Sequence, residues 1–195
     1  MGKTWELEKN TFKSYACGIV LHPAIDACIQ LRQYAKAEEV KEISLQVHSY
    51  VLELTAKENP STGLEGKFSI YHSAAIAFLE KDASENQYHE DKINRQETIK
   101  LRKKITPVAN ESIKKENVLA KLTKLDGTVH EVYIDHATGS LQNPMTESML
   151  HRKFKNLCKD ILSEQQMKHV IHSISDFQKL DSIHELIESI NKDIL

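Results

Sequence analysis

A lysine, a cysteine and a histidine share one short connection, Phe12-Lys13-Ser14-Tyr15-Ala16-Cys17-Gly18, followed by His22-Pro23-Ala24-Ile25-Asp26-Ala27. The connection is expected to end where a helix begins. Pro23 fits a first helical turn, where its missing N–H had no intrahelical acceptor in any case. Asp26 is expected in that same turn, at the end where the helix dipole favours negative charge. Backbone N–H groups at such a start, with Lys13 and His22 close by, suit a carboxylate ligand. The competing reading is a solvent lysine and a histidine that satisfies backbone groups at the helix start. Cys17 is the nucleophile that sequence alone nominates, because a nearby cation and a helix start lower a thiol pKa. Its more ordinary reading is a small buried side chain.

A second block, Thr62-Gly63-Leu64-Glu65-Gly66-Lys67-Phe68-Ser69-Ile70-Tyr71-His72-Ser73-Ala74-Ala75, again brings basic, hydroxyl and imidazole groups together ahead of a helix. A third, Asp135-His136-Ala137-Thr138-Gly139-Ser140, runs into Asn143-Pro144-Met145-Thr146. In this order the three blocks resemble the 2-methylcitrate dehydratase (MmgE/PrpD) family, whose relatives include cis-aconitate decarboxylases and iminodisuccinate epimerases. The resemblance runs from about Trp5 to the final helices.

The resemblance implies a cleft that acts on small polycarboxylates without metal or organic cofactor. Such chemistry needs a base to take a proton beside a carboxylate, and cations or donors to hold the enolate-like charge that develops. Lys13 matches the family's lysine and would bind a carboxylate or stabilise that charge; Lys67 would share in substrate binding. His22 matches a histidine that would donate a proton or a hydrogen bond, since an imidazole works near neutral pH. His72 and Tyr71 stand where a proton relay or donor would face the cleft, although the spacing of Tyr71 with Ala74, Ala75 and Phe78 also makes it core. Gly18 occupies a place where decarboxylase-like members carry histidine, which points toward the epimerase-like branch. Ser14 and Ala16 replace frequent prolines, so a less rigid loop is expected.

The same resemblance implies a large all-α domain before a small α+β domain, with the chain returning to helices at its end. This sequence then corresponds to the second half: a small domain over residues 1–144 and a helical segment over 145–195. A wall of the cleft would be missing, so the chain alone is expected to be weakly active or inactive. The full-length family implies a homodimer; here self-association or a helical-domain partner is expected. The alternative is a non-catalytic module that binds a companion chain through its helical tail.

Composition narrows the classes. The 195 residues are 28% charged with a formal net charge of −2, which lacks the basic excess of a nucleic-acid footprint. No apolar run is long enough to span a bilayer, and the N-terminus lacks the pattern of a secretory signal. Cys17, Cys28 and Cys158 are an odd set without metal spacing, which fits free thiols in a reducing, cytoplasmic setting. Ten histidines include His169 and His172, three apart, but no third ligand stands near them, and no metal is expected.

The elements that must position these groups follow from periodicity. Residues 23–36 carry a helical stripe, and 42–48 alternate as a half-buried strand with Ile43, Leu45 and Val47 on one side. Helical spacing returns from Phe68 to Leu79, residues 81–90 read as a loop, and 91–104 as one charged helix. Residues 105–108 form an edge strand because of Pro107. Runs 118–125 and 128–134, joined by Asp126-Gly127, form a hairpin with a two-residue turn. Thr146 caps a helix carrying Met149, Leu150, Phe154, Leu157, Ile161 and Leu162. Ser182 and Glu185 form a capping box ahead of Ile183, Leu186, Ile187, Ile190 and Ile194. The expected fold is α+β, a small mixed or antiparallel sheet packed with helices, followed by helices alone.

Overall fold

The computed structural model describes residues 2–3, 5–180 and 182–191. Its contacts divide the chain into two compact units, Met1–Met145 and Thr146–Leu195.

The first unit is built on four strands: β1 (Val40–Val47), β2 (Ile105–Ala109), β3 (Val118–Lys124) and β4 (Val129–Ile134), in the order β2-β1-β3-β4. β1 runs parallel to β2, and the β1–β3 and β3–β4 pairs are antiparallel, so the sheet is mixed. The register aligns Ile105, Ile43 and Leu122 in one row and Pro107, Leu45, Ala120 and Val132 in the next. Because side chains alternate along a strand, this register puts the apolar set on one face. Pro107 is harmless on the edge strand β2, where one row of backbone groups has no ladder to serve.

Helices α1 (His22–Leu31) and α4 (Ile70–Glu80) close the core against the sheet. Ile25, Leu31, Ile70, Phe78, Ile43, Leu45 and Leu122 lie wholly inside it. α4 is buried around most of its circumference, as its low charge implies. The fold is α+β, as the sequence predicts.

Several boundaries differ from the periodicity. α1 stops at Leu31, and residues 32–34 turn, with the Arg32 guanidinium on the Ala35 carbonyl at 2.8 Å. α4 starts at Ile70 because the Ser69 hydroxyl accepts the His72 N–H at 3.1 Å; Phe68 therefore stays outside the buried stripe. The expected loop 81–90 contains a 3-10 turn, Glu85–Tyr88, and the expected helix 91–104 is two short ones, α5 (Glu90–Ile93) and α6 (Gln96–Arg102). Arg95 between them is extended, at φ −65° and ψ 132°. Short helices α2 (Ser49–Thr55) and α3 (Gly63–Gly66) complete the connection from β1 to α4. The hairpin turn has three residues, Leu125, Asp126 and Gly127: the Lys124 N–H pairs with the Thr128 carbonyl, and Gly127 takes φ +87°. A type I turn followed by a left-handed glycine needs that third residue.

The second unit consists of α7 (Glu147–Cys158), α8 (Glu164–Ser175) and α9 (Ile183–Asn191), with Leu162, Met167, Val170 and Leu186 buried. Thr146 caps α7 through the Met149 N–H, as expected. The stripe predicted to reach Leu162 is broken at Cys158, because Ser163 and Gln166 form a reciprocal capping box that starts α8. The Glu185 side chain of the predicted second box, and Ile194, lie outside the described residues.

Candidate functional site

The loop carrying Lys13 and Cys17 is fixed by contacts from distant parts of the first unit. The Ala16 N–H donates to the Ala83 carbonyl at 3.0 Å, and the Gly18 N–H to the Lys67 carbonyl at 3.1 Å. The Ser14 hydroxyl donates to the Thr138 carbonyl at 2.6 Å. The Asp26 carboxylate accepts the Tyr15 hydroxyl on one oxygen and the Thr138 N–H, at 2.6 Å, on the other. Gly139 makes this approach possible: at φ +92° a Cβ would stand 2.3 Å from the Phe12 carbonyl oxygen. All three sequence blocks therefore meet at the loop, and Ser14 and Ala16 are tied by hydrogen bonds where prolines would have stiffened the chain.

Two ammonium groups border it. The Lys13 side chain is exposed and its Nζ donates to the Cys17 carbonyl at 3.2 Å. The Lys67 Nζ is paired with Glu85 Oε1 at 2.5 Å. Both charges pull on the Cys17 thiol, as does a hydrogen bond with Tyr88, but burial dominates and pushes it up to about 11. Cys17 is thus a protonated thiol at neutral pH, without the thiolate that nucleophilic attack requires.

Asp26 sits in the second turn of α1, not the first. The chain enters α1 through a 3-10 turn, Ile19–Leu21, in which the Leu21 and His22 N–H groups donate to the Gly18 and Ile19 carbonyls. These N–H groups are consequently not presented to a ligand. Gly18 is in ordinary extended backbone, φ −57° and ψ 132°. A Cβ there would meet only the Lys67 carbonyl, at 3.8 Å. The position has room for a Cβ.

His22 is 1% exposed, and its ring stands edge-on to Tyr15 at 5.2 Å. His72 is fully buried. Its Nε2 lies 2.9 Å from the Gln87 carbonyl, so that nitrogen carries the proton; Nδ1 is buried with no hydrogen-bond partner. Burial, with Arg102 and Arg95 adding to it, outweighs that hydrogen bond and lowers the His72 pKa to about 4, leaving a neutral ring at pH 7. Tyr71 is half-buried and packs against the core; burial and then the Glu58 charge raise its pKa. Lys13 is thus exposed and Lys67 half-buried, both near Cys17, while His22 and His72 are buried.

The residues that sequence reasoning missed come from stretch 81–90. Lys81, left-handed at φ 56°, ends α4 and sends the chain back along the loop. Asp82 then accepts the Ala83 and Ser84 N–H groups at 2.8 and 3.1 Å. Tyr88 is buried, 3.0 Å from the Ser73 hydroxyl and edge-on to His72. Gly63 and Gly66 let it in: a Cβ on Gly63 would lie 2.2 Å from the Tyr88 carbonyl oxygen. An aromatic residue inside a polar stretch was the available signal.

Among the described residues no three or more His, Cys, Asp or Glu side chains gather where they could hold a metal ion. Among the described residues no helix is long and apolar enough to cross a membrane. A family model described as the MmgE/PrpD C-terminal domain matches residues 15–176. No curated protein matches the chain.

Proposed function

Because the chain belongs to the MmgE/PrpD family through its C-terminal domain, we propose that the loop bordered by Lys13 and Lys67 is one wall of a site for small polycarboxylates. The reaction is of the dehydratase, decarboxylase or epimerase type, with the epimerase-like branch favoured by Gly18. The observation that carries this reading is the meeting of the three blocks, through the Gly18–Lys67, Ser14–Thr138 and Asp26–Thr138 bonds, around a loop with two lysines at its edge.

Each lysine suits one carboxylate of the substrate or the negative charge that grows on carbon as a proton leaves; such charge-assisted bonds are the strong ones. His22 and Tyr15 hold the loop that presents Lys13. His72 is kept neutral and pinned by Gln87, with its unprotonated Nδ1 as the acceptor of a relay; Tyr71 offers a phenol at the same helix start. The family resemblance implies a helical domain that contributes further groups to such a site. The setting proposed is cytoplasmic, with a homodimer in the complete assembly.

Citrate titrated into the chain is the direct test. The amides of residues 13–18 and 65–68 are expected to shift in NMR spectra, and Lys13→Ala to weaken binding roughly tenfold, the worth of one hydrogen bond to a charged group. Shifts confined to other regions would falsify the assignment.

A second reading has its own observation. In the helical unit Leu157, Ile161, Ile174, Phe177, Ile183 and Ile187 are exposed, which suits a module that associates with a helical partner or with itself. Light scattering behind size exclusion decides this: a monomer at high concentration counts against self-association.

A further inference from the structure

The Lys67 ammonium proposed above as a carboxylate holder already has a carboxylate on it. Glu85 Oε1 stands 2.5 Å from Nζ, with the lysine side chain 28% and the glutamate side chain 47% exposed. The two ends of this pair are held differently from their tips. Lys67 is fixed at its backbone, its carbonyl accepting the Gly18 N–H and its N–H donating to the Gly63 carbonyl. Glu85 opens the 3-10 turn Glu85–Tyr88, which is anchored from behind. Gln87 Nε2 donates to Glu80 Oε2 at 3.0 Å, the Gln87 carbonyl accepts from His72, and Tyr88 bonds Ser73. Ser84 Oγ bridges Asp82 and Gln87 at 2.9 and 2.7 Å. The backbone under Glu85 is therefore fixed, while its carboxylate faces water and can exchange with it.

We infer that Glu85 is a built-in competitor for Lys67, so that a ligand carboxylate enters this half of the wall by displacing the Glu85 side chain. The inference rests on the reading of Lys67 as a carboxylate holder. Tethering makes the competitor always present, at an effective concentration set by the turn and not by the solution. A ligand that engages Lys13 with one carboxylate then needs a second one to replace Glu85 on Lys67. The Lys67–Glu85 pair thereby sets which ligands bind well: those whose two carboxylates together offset the lost ion pair. Glu85 is a specificity-determining residue that acts by occupying the site, with no bond made or broken.

The test is a set of citrate titrations, followed by NMR at one ionic strength and pH 7, of the full chain and of Glu85→Gln, Lys67→Gln and the double variant. Gln keeps the shape and the hydrogen bond of Glu85 without its charge, and the side chain is near half exposed, so the fold is expected to hold. Glu85→Gln should bind citrate about two- to fivefold more tightly, the worth of a part-exposed ion pair. That gain should vanish when Lys67 is already Gln. Unchanged or weaker binding by Glu85→Gln, with the native chain still binding at the loop, overturns the competition and leaves the polycarboxylate wall standing. An equal gain in the Lys67→Gln background also overturns it, since the effect would then be general charge and not occupancy. Absence of citrate binding by all four chains overturns the wall and the competition together.

Discussion

The Gly18 N–H donates to the Lys67 carbonyl at 3.1 Å, joining the two basic loops by their backbones. The main chain holds the two loops together, while the Lys13 Nζ reaches the Cys17 carbonyl and the Lys67 Nζ the Glu85 carboxylate. Several consequences can be measured.

Asp26 fastens the first block to the third. Asp26→Ala removes the acceptor of both the Tyr15 hydroxyl and the Thr138 N–H in a largely buried place. A loss of about 2 to 3 kcal/mol is expected, since a buried donor without an acceptor forfeits its desolvation cost. Chemical denaturation of the two proteins measures it; a change within experimental error would show that Asp26 does not fasten the two blocks.

Gly18 and Gly139 should answer alanine oppositely. Gly18→Ala fits the backbone and the space, and should stay within about 0.5 kcal/mol of the native chain. Gly139→Ala forces φ +92° on a residue with a Cβ and drives that Cβ into the Phe12 carbonyl, a cost of about 1 to 3 kcal/mol. Thermal melts of the pair would show whether the third block depends on that glycine.

His72 gives a signed pH dependence. Its folded pKa of about 4 lies below the ordinary 6.5, so between those values the unfolded chain binds a proton that the native chain refuses. Stability from this residue is whole above pH 6.5, falls as the pH drops toward 4, and levels off below. The loss is about 3 kcal/mol, at about 1.4 per pH unit. His72→Gln should lack this component, so denaturation at pH 7 and pH 4.5 should separate the two chains by a smaller margin at the acid end.

The cysteines should alkylate in order of access. Burial holds Cys17 up to about 11 and Cys28 up to about 12, whereas Cys158 is partly exposed. Iodoacetamide at pH 8 should modify Cys158 first, with Cys17 and Cys28 protected until denaturant is added. Peptide mass spectrometry reads the sites; early labelling of Cys17 would revive it as a nucleophile.

Much of the scaffold was legible because its signals are local. Ile43, Leu45 and Val47 alternate, and Asp126-Gly127 marks the hairpin. Pro107 marks an edge strand. The errors fell where a cap or a tertiary contact overrode periodicity. Ser69 excluded Phe68 from α4, and the helix predicted to reach Leu162 ends at Cys158, ahead of the Ser163–Gln166 box that starts the next one. Tyr88 was hidden because residues 81–90 look polar, yet its ring fills the space beside Gly66. Of the proposed site, Lys13 and Lys67 could be found from residue type and order; the ion pair of Lys67 with Glu85 could not.

By itself the sequence determined the family, the α+β class and the residue types at the site, since these depend on short patterns and on the order of three blocks. Only the tertiary structure decided how those blocks meet. Ser14 reaches Thr138 across 124 positions and Asp26 reaches it across 112, and no local periodicity encodes a hydrogen bond at such separation. It also decided the chemistry of each group. The Cys17 thiol and the His72 imidazole are kept neutral by burial, a property of the packed core and not of the residue or its neighbours in the chain.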